Sequence, residues 1–123
     1  MVKPVFDAYE KLDIIIMGIG QITEDSSLRK CGISNEEILN ANKNGAKTIV
    51  LGSLIDKEGK EILQDKTEIF LGAKVKHMEK CPCVIAVAEG MRKIESIHYA
   101  LKGEFIDIFC TNLETAKALI KLR

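Results

Sequence analysis

Cys83-Val-Ile-Ala-Val-Ala-Glu-Gly-Met-Arg-Lys-Ile-Glu-Ser-Ile-His-Tyr-Ala-Leu-Lys-Gly103 carries the signals that decide the fold. Pro82 breaks whatever precedes it, and Cys83 to Ala88 is a short apolar run that reads as a strand buried on both faces. Behind Gly90 the residues Ile94, Ile97, His98 and Leu101 recur at i, i+3, i+4 and i+7. That spacing predicts a helix from about Met91 to Lys102, stopped by Gly103. Phe105 to Cys110 then reads as the next strand. Strand, tight turn, helix and strand in this order form a right-handed crossover unit with parallel strands.

Working outward, Asp13-Ile-Ile-Ile-Met-Gly18 and Thr48-Ile-Val-Leu-Gly-Ser53 are two more short apolar runs read as buried strands. Between them Ser34-Asn-Glu-Glu37 is a capping box that opens a helix through about Lys43, closed by Asn44 and Gly45. Asp56-Lys-Glu-Gly59 reads as a turn in which glycine supplies the positive φ angle. From Ile69 to Lys80 the pattern is ambiguous, although Leu71, Val75 and Met78 allow a helical stripe. Thr111-Asn-Leu-Glu114 is a second capping box, ahead of a last helix ending near Leu122. Strands alternating with helices imply an α/β domain, a parallel Rossmann-like sheet layered with helices. Ligands of such sheets collect at the carboxy ends of the strands.

A chain of 123 residues is one domain's worth and supports one core. Its 46% hydrophobic and 29% charged residues are globular values. Eighteen basic and eighteen acidic residues are interspersed, which argues against direct contact with nucleic acid, where phosphate neutralisation drives binding. No apolar run approaches the roughly 20 residues that cross a bilayer, and the first thirteen residues lack the long apolar core of a signal peptide. A cytoplasmic setting follows, in which Cys31, Cys81, Cys83 and Cys110 are expected as free thiols.

The candidate chemistry sits in the loops. Glu89-Gly90-Met-Arg-Lys93 is a strand-to-helix turn whose amides and ammonium suit a phosphate or carboxylate; alternatively, Gly90 merely turns the chain and Lys93 is solvated. Gly18-Ile-Gly20 falls short of a dinucleotide fingerprint, because Thr23 stands in place of the third glycine, but it lets a ligand approach the backbone. Ser26, Ser27 and Arg29 offer donors for a phosphate or sugar, or form a solvated loop. Asp56 either accepts from sugar hydroxyls or organises its own turn. His98 is expected as a packed histidine, since nothing stands at triad-like spacing from it. Cys81-Pro-Cys83 has one residue between its cysteines, where zinc and redox motifs want two. Neither a metal nor a cofactor is implied.

The stretches DIIIMGIGQI, SSLRKCGIS, GAKTIVLGSLIDKEGKEI, VIAVAEGMRKIESIHYAL and GEFIDIFCTNLETAKALI, in this order from about Asp13 to Leu119, resemble consecutive blocks of the SorC family of sugar-responsive transcriptional regulators. The resemblance implies the carboxy-terminal half of an effector domain, related in fold to glucosamine-phosphate deaminase and ribose-phosphate isomerase. It implies a small phosphorylated sugar as ligand. Lys93 would meet the phosphate, Asp56 the hydroxyls, Gly18 and Gly20 would line the pocket, and Ser27 and Arg29 would face the ligand's other end.

Two positions depart from the family pattern. Glu89 replaces the first of two turn glycines, adding a negative charge beside the phosphate site, and Asn112 stands where aspartate is usual. By the resemblance, the 123 residues are expected to correspond to neither the family's helix-turn-helix nor the first half of its effector domain. The missing strands would leave an edge and apolar faces uncovered, so self-association, or pairing with the missing half, is expected. The leading expectation is therefore a binding module without catalysis. Its rivals are an isomerase or deaminase using Asp56 or Glu89 as base with Lys93 beside it, and a ligand-free interaction fragment.

Overall fold

A computed structural model describes residues 2–23, 27–68 and 72–122. Helix α1 (Lys3–Tyr9) comes first, with Pro4 in the opening turn where a missing amide is harmless. Strand β1 (Ile14–Met17) and the two-residue strand β2 (Gly20–Gln21) follow. Helices α2 (Ser27–Lys30) and α3 (Asn35–Lys43) lead to strands β3 (Thr48–Val50), β4 (Ser53–Ile55) and β5 (Glu61–Ile62). Helices α4 (Gln64–Thr67) and α5 (Val75–Lys80) precede strand β6 (Cys83–Val87). A 3₁₀ turn (Met91–Lys93) runs into helix α6 (Ile94–Lys102), and strand β7 (Ile108–Cys110) and helix α7 (Leu113–Ile120) complete the chain.

The class is α/β, built on a parallel sheet in the order β1-β6-β7. β6 lies between its neighbours, with Ile16 opposite Ile85 and Ile85 opposite Ile108. The crossover from β6 through α6 to β7 is the unit that the sequence announces. Thr48 to Ser53, however, is not a strand of this sheet. The run folds back at Leu51 and Gly52 into a hairpin, Val50 opposite Ser53, within a separate antiparallel sheet ordered β2-β3-β4-β5. Leu51 takes a left-handed φ of 52°, which costs a side-chain-bearing residue about 1 kcal/mol. Packing of Leu51 on the main core offsets that strain, and an apolar turn residue hides the turn from a reading of the sequence.

The main core lies under one face of the parallel sheet. Ile15, Met17, Val84 and Ala86 point into it, and Ile97 and Ala100 of α6 and Val75 and Met78 of α5 meet them. A smaller apolar cluster, Ile22, Leu28, Ile38, Ala46 and Leu54, joins α2 and α3 to the antiparallel sheet. β6 is thus buried on one face rather than two. On the other face Ile14, Ile16, Val87 and Ile108 are 57%, 71%, 52% and 48% exposed.

Helix ends follow the capping logic with one correction. Ser34 and Glu37 form the expected reciprocal box, and the Ser34 amide and hydroxyl hold the Glu37 carboxyl below its ordinary value. Asn44 caps α3 and Gly45 takes φ 100°. The last helix starts one residue later than expected: Asn112, not Thr111, is the N-cap, its Oδ1 accepting from the Thr115 amide at 2.9 Å. Asn112 caps well and also reaches Glu89, a tertiary contact that the local pattern does not reveal. Of the ambiguous segment, Val75–Lys80 is helical, and Ile69 to Leu71 lie outside the described residues.

α5 is fixed through a histidine that sequence reading passes over. His77, rather than the half-buried His98, is the buried one. Its Nδ1 accepts the Lys74 amide at 2.9 Å, so Nε2 carries the proton and faces Glu10 Oε1 at 3.2 Å. The Lys80 ammonium bonded to Glu10, with His77 beside it, holds the Glu10 carboxyl below its ordinary value. Lys74 sends its ammonium to the carbonyls of Gly52 and Thr67, and burial lowers its pKa against the opposing pull of Glu61.

The Asp56–Gly59 turn seats against the end of α6. Asp56 Oδ1 accepts from the amides of Glu58 and Lys60, both at 2.9 Å, and Gly59 takes φ 83°. A Cβ on Gly59 would overlap the Gly103 amide and lie 2.6 Å from the Lys102 carbonyl carbon. Gly59→Ala therefore combines backbone strain with a backbone collision and is expected to destabilise the fold by about 2 kcal/mol or more, read as a lower urea midpoint.

Candidate functional site

Parallel strands share their direction, so the carboxy ends of β1, β6 and β7 converge on one edge. Three short loops meet there: Gly18–Ile19 after β1, Ala88–Gly90 after β6, and Thr111–Asn112 after β7. Hydrogen bonds stitch them together. The Ala88 amide donates to the Cys110 carbonyl at 3.2 Å, and the Gly90 amide to Thr115 Oγ1 at 3.0 Å. Thr115 is 1% exposed, so this bond is a dry anchor that sets where the turn before Met91 begins. Gly90 itself takes φ 115°, a conformation that excludes most side chains.

Lys93 closes the group. Its Nζ crosses from the start of α6 to donate to the Ile19 carbonyl at 3.2 Å. Gln21, just beyond the glycine loop, donates in turn to the Arg92 carbonyl. The loop after β1 and the turn after β6 are therefore one surface. An ammonium has three donors, and this bond uses one, so the others can meet an anion that arrives at the edge. The amide of Met91, first in the 3₁₀ turn, has no carbonyl of the same helix behind it, as at any helix start.

Gly18, Gly20, Glu89, Gly90 and Lys93 are thus neighbours across three loops. Gly20 has a packing role: a Cβ there would lie 2.6 Å from Ile49 Cγ2. Ile49, opposite Gly20 in the antiparallel register, packs against that glycine, a contact that local sequence does not single out. The Glu89 carboxylate is held by the Asn112 side-chain amide at 3.1 Å. Thr111 Oγ1 is buried without a hydrogen-bond partner among the described residues, which leaves an unused polar group beside the edge.

Asp56 is not brought to this group. Its turn packs on the carboxy end of α6, with Lys102 Nζ 3.4 Å from the Lys57 carbonyl, whereas Lys93 stands at the amino end. Nine helical residues separate those ends by roughly 13 Å. Asp56 organises its own turn, the alternative left open by its sequence. Ser27 opens α2 and Arg29 follows on it, anchored through Leu28 in the smaller cluster; no hydrogen bond among the described residues ties Arg29 to the glycine loop or to Lys93. Ser26 lies outside the described residues. All four cysteines are free thiols, and Cys81 Sγ turns to the Cys83 carbonyl. No described helix is long and apolar enough to cross a membrane.

A sugar-binding domain family, Sugar-bind, matches residues 1–121. The transcriptional regulator LsrR of Enterobacter sp. (strain 638) is 30% identical over 126 residues, covering 98% of this chain and 39% of the regulator. The deoxyribonucleoside regulator of Bacillus subtilis (strain 168) is 25% identical over 119 residues, 97% of this chain and 38% of that one. Among solved structures, the full-length sorbitol operon regulator SorC from Klebsiella pneumoniae superposes with a TM-score of 0.86 at 24% identity, covering 96% of this chain and 39% of that chain. A transcriptional regulator from Streptococcus pneumoniae TIGR4 gives 0.87 at 19% identity, over 98% of this chain and 47% of that one. The chain spans about two fifths of the length of the curated relatives it matches. A family match over nearly every residue, on a parallel sheet whose loops gather glycines and a lysine at one edge, means that the chain belongs to the sugar-binding domain family that it shares with these transcriptional regulators.

Proposed function

We propose that the domain recognises a small phosphorylated sugar at the carboxy edge of its parallel sheet, and that in a complete regulator this occupancy is passed on to assembly and DNA affinity. The observation that carries the reading is the Lys93 bond to the Ile19 carbonyl, which holds one cation over the glycine loop and the amide-rich turn together. A phosphate there gains a charge-assisted bond from Lys93 and close backbone approach at Gly18, Gly20 and Gly90. Glu89 is turned onto Asn112, which steers its charge and leaves it a fixed acceptor for a sugar hydroxyl. Ser27 and Arg29 belong to the other end of the ligand. Binding without turnover fits the arrangement, since neither Asp56 nor Glu89 is held as a base against Lys93 among the described residues.

The test is thermal melting of the chain with a panel of phosphosugars, because a ligand that binds only the native state raises the midpoint. At least one member should raise it, and Lys93→Met should abolish the rise while leaving the unliganded melting temperature within a few degrees. A panel without effect, or a rise unchanged in the Lys93→Met protein, overturns the reading.

The bare face of the sheet supports a second proposal, that the 123-residue chain self-associates. Parallel sheets are covered on both faces, yet Ile14, Ile16, Val87 and Ile108 stand exposed on one face, Ile16 and Ile108 flanking Ile85 on the same rung. Removing each of them from water is worth on the order of 1 kcal/mol. Sedimentation should give dimers or larger species at micromolar concentration, and Ile16→Glu should shift them to monomer without loss of helical signal. A folded wild-type monomer at high concentration contradicts it.

A further inference from the structure

A cavity of about 440 Å³ opens between β2, the carboxy end of α3 and the first turns of α6. It adjoins the phosphosugar site proposed above at Met91 but is lined by neither Lys93 nor the glycines of that site: its polar walls carry Gln21, Asn42, Lys47, Ser96 and Tyr99, together with Arg92 and Glu95. Its size is within the range of small-molecule sites. Ser96 singles it out. That residue is 7% exposed, and its hydroxyl has no hydrogen-bond partner among the described residues, although a helical serine commonly returns its hydroxyl to a carbonyl one turn back. A hydroxyl that lines a cavity without a protein partner is available to whatever enters it.

The remaining walls complement it. Asn42 uses its amide nitrogen on the Ile22 carbonyl at 3.2 Å, which leaves its oxygen as an acceptor. Gln21 likewise donates to the Arg92 carbonyl and keeps its oxygen. Tyr99 contributes a half-buried ring with a hydroxyl, and the exposed Lys47 a cation. Donors and acceptors alternating around one ammonium suit a compound with several hydroxyls and one anionic group. Arg92 already has an interaction of its own, and the Glu95 carboxylate disfavours a second negative charge on the ligand.

We propose that this cavity is a second carbohydrate subsite, which takes the hydroxyls of a monosaccharide phosphate on Ser96, Tyr99, Gln21 and Asn42 and its phosphate on Lys47. It goes beyond the Lys93 reading and stands without it. The experiment titrates the isotope-labelled chain, carrying Lys93→Met, with glucose 6-phosphate, and in separate arms with glucose and with inorganic phosphate, following backbone amide shifts. Glucose 6-phosphate should move the Lys47, Ser96 and Tyr99 signals, with about tenfold weaker affinity when Ser96→Ala or Lys47→Met is added. Ser96→Ala should melt within a few degrees of its parent, because the hydroxyl has no protein hydrogen bond to lose. No shift near Ser96 at about 20 mM ligand overturns the proposal. So do equal shifts with phosphate alone, which mark an anion site only, and a lower melting temperature for Ser96→Ala with unchanged affinity, which marks the hydroxyl as structural. Shifts confined to residues 88 to 93 also overturn it.

Discussion

β6 is hydrogen-bonded along both edges by parallel neighbours, and the rest of the molecule depends on that pairing. A strand held this way fixes the direction of β1 and β7 and delivers three loops to one edge. It also dictates that successive side chains alternate between a face packed by α5 and α6 and a face that no described element covers. Site and bare surface are two results of the same constraint.

The proposed phosphosugar site rests on the edge rather than on the core. The turn after β6 is held from below by Thr115, from the side by the Asn112 bond to Glu89, and from the front by Lys93 on the glycine loop. Each contact joins different elements, so the geometry of the edge reports on the packing of the sheet as a whole. Such an arrangement suits an effector domain, in which an occupied edge and the seating of its neighbouring elements are linked. The antiparallel sheet plays a different part, pressing Ile49 against Gly20 and carrying the Asp56 turn to the far end of α6.

The residues that were legible in advance are those whose signals are local. The Ser34 box, the Asn44–Gly45 stop, the Gly59 turn and the strand-turn-helix from Cys83 to Lys102 each depend on a few neighbours in sequence, and each forms where its pattern lies. Misreadings arose where a distant partner intervened. Leu51 turns the chain because the core accepts its side chain, and Asn112, a stronger cap than Thr111, takes the cap while its amide nitrogen also reaches Glu89. His77 is buried because Glu10, far away in sequence, faces its ring.

Spacing, periodicity and capping chemistry determined by themselves that the chain is α/β, that β6, α6 and β7 form a parallel crossover, and that Gly90 and Lys93 sit on the turn between them, since all of these follow from steric and hydrogen-bonding rules acting over a few residues. Tertiary structure alone decided that Lys93 meets Ile19 and not Asp56, that Thr48–Ile55 forms a hairpin outside the main sheet, and that one sheet face is left apolar and open. Those outcomes depend on which surfaces compete for the same neighbour across the fold, a comparison of packing energies between distant segments that no local window contains.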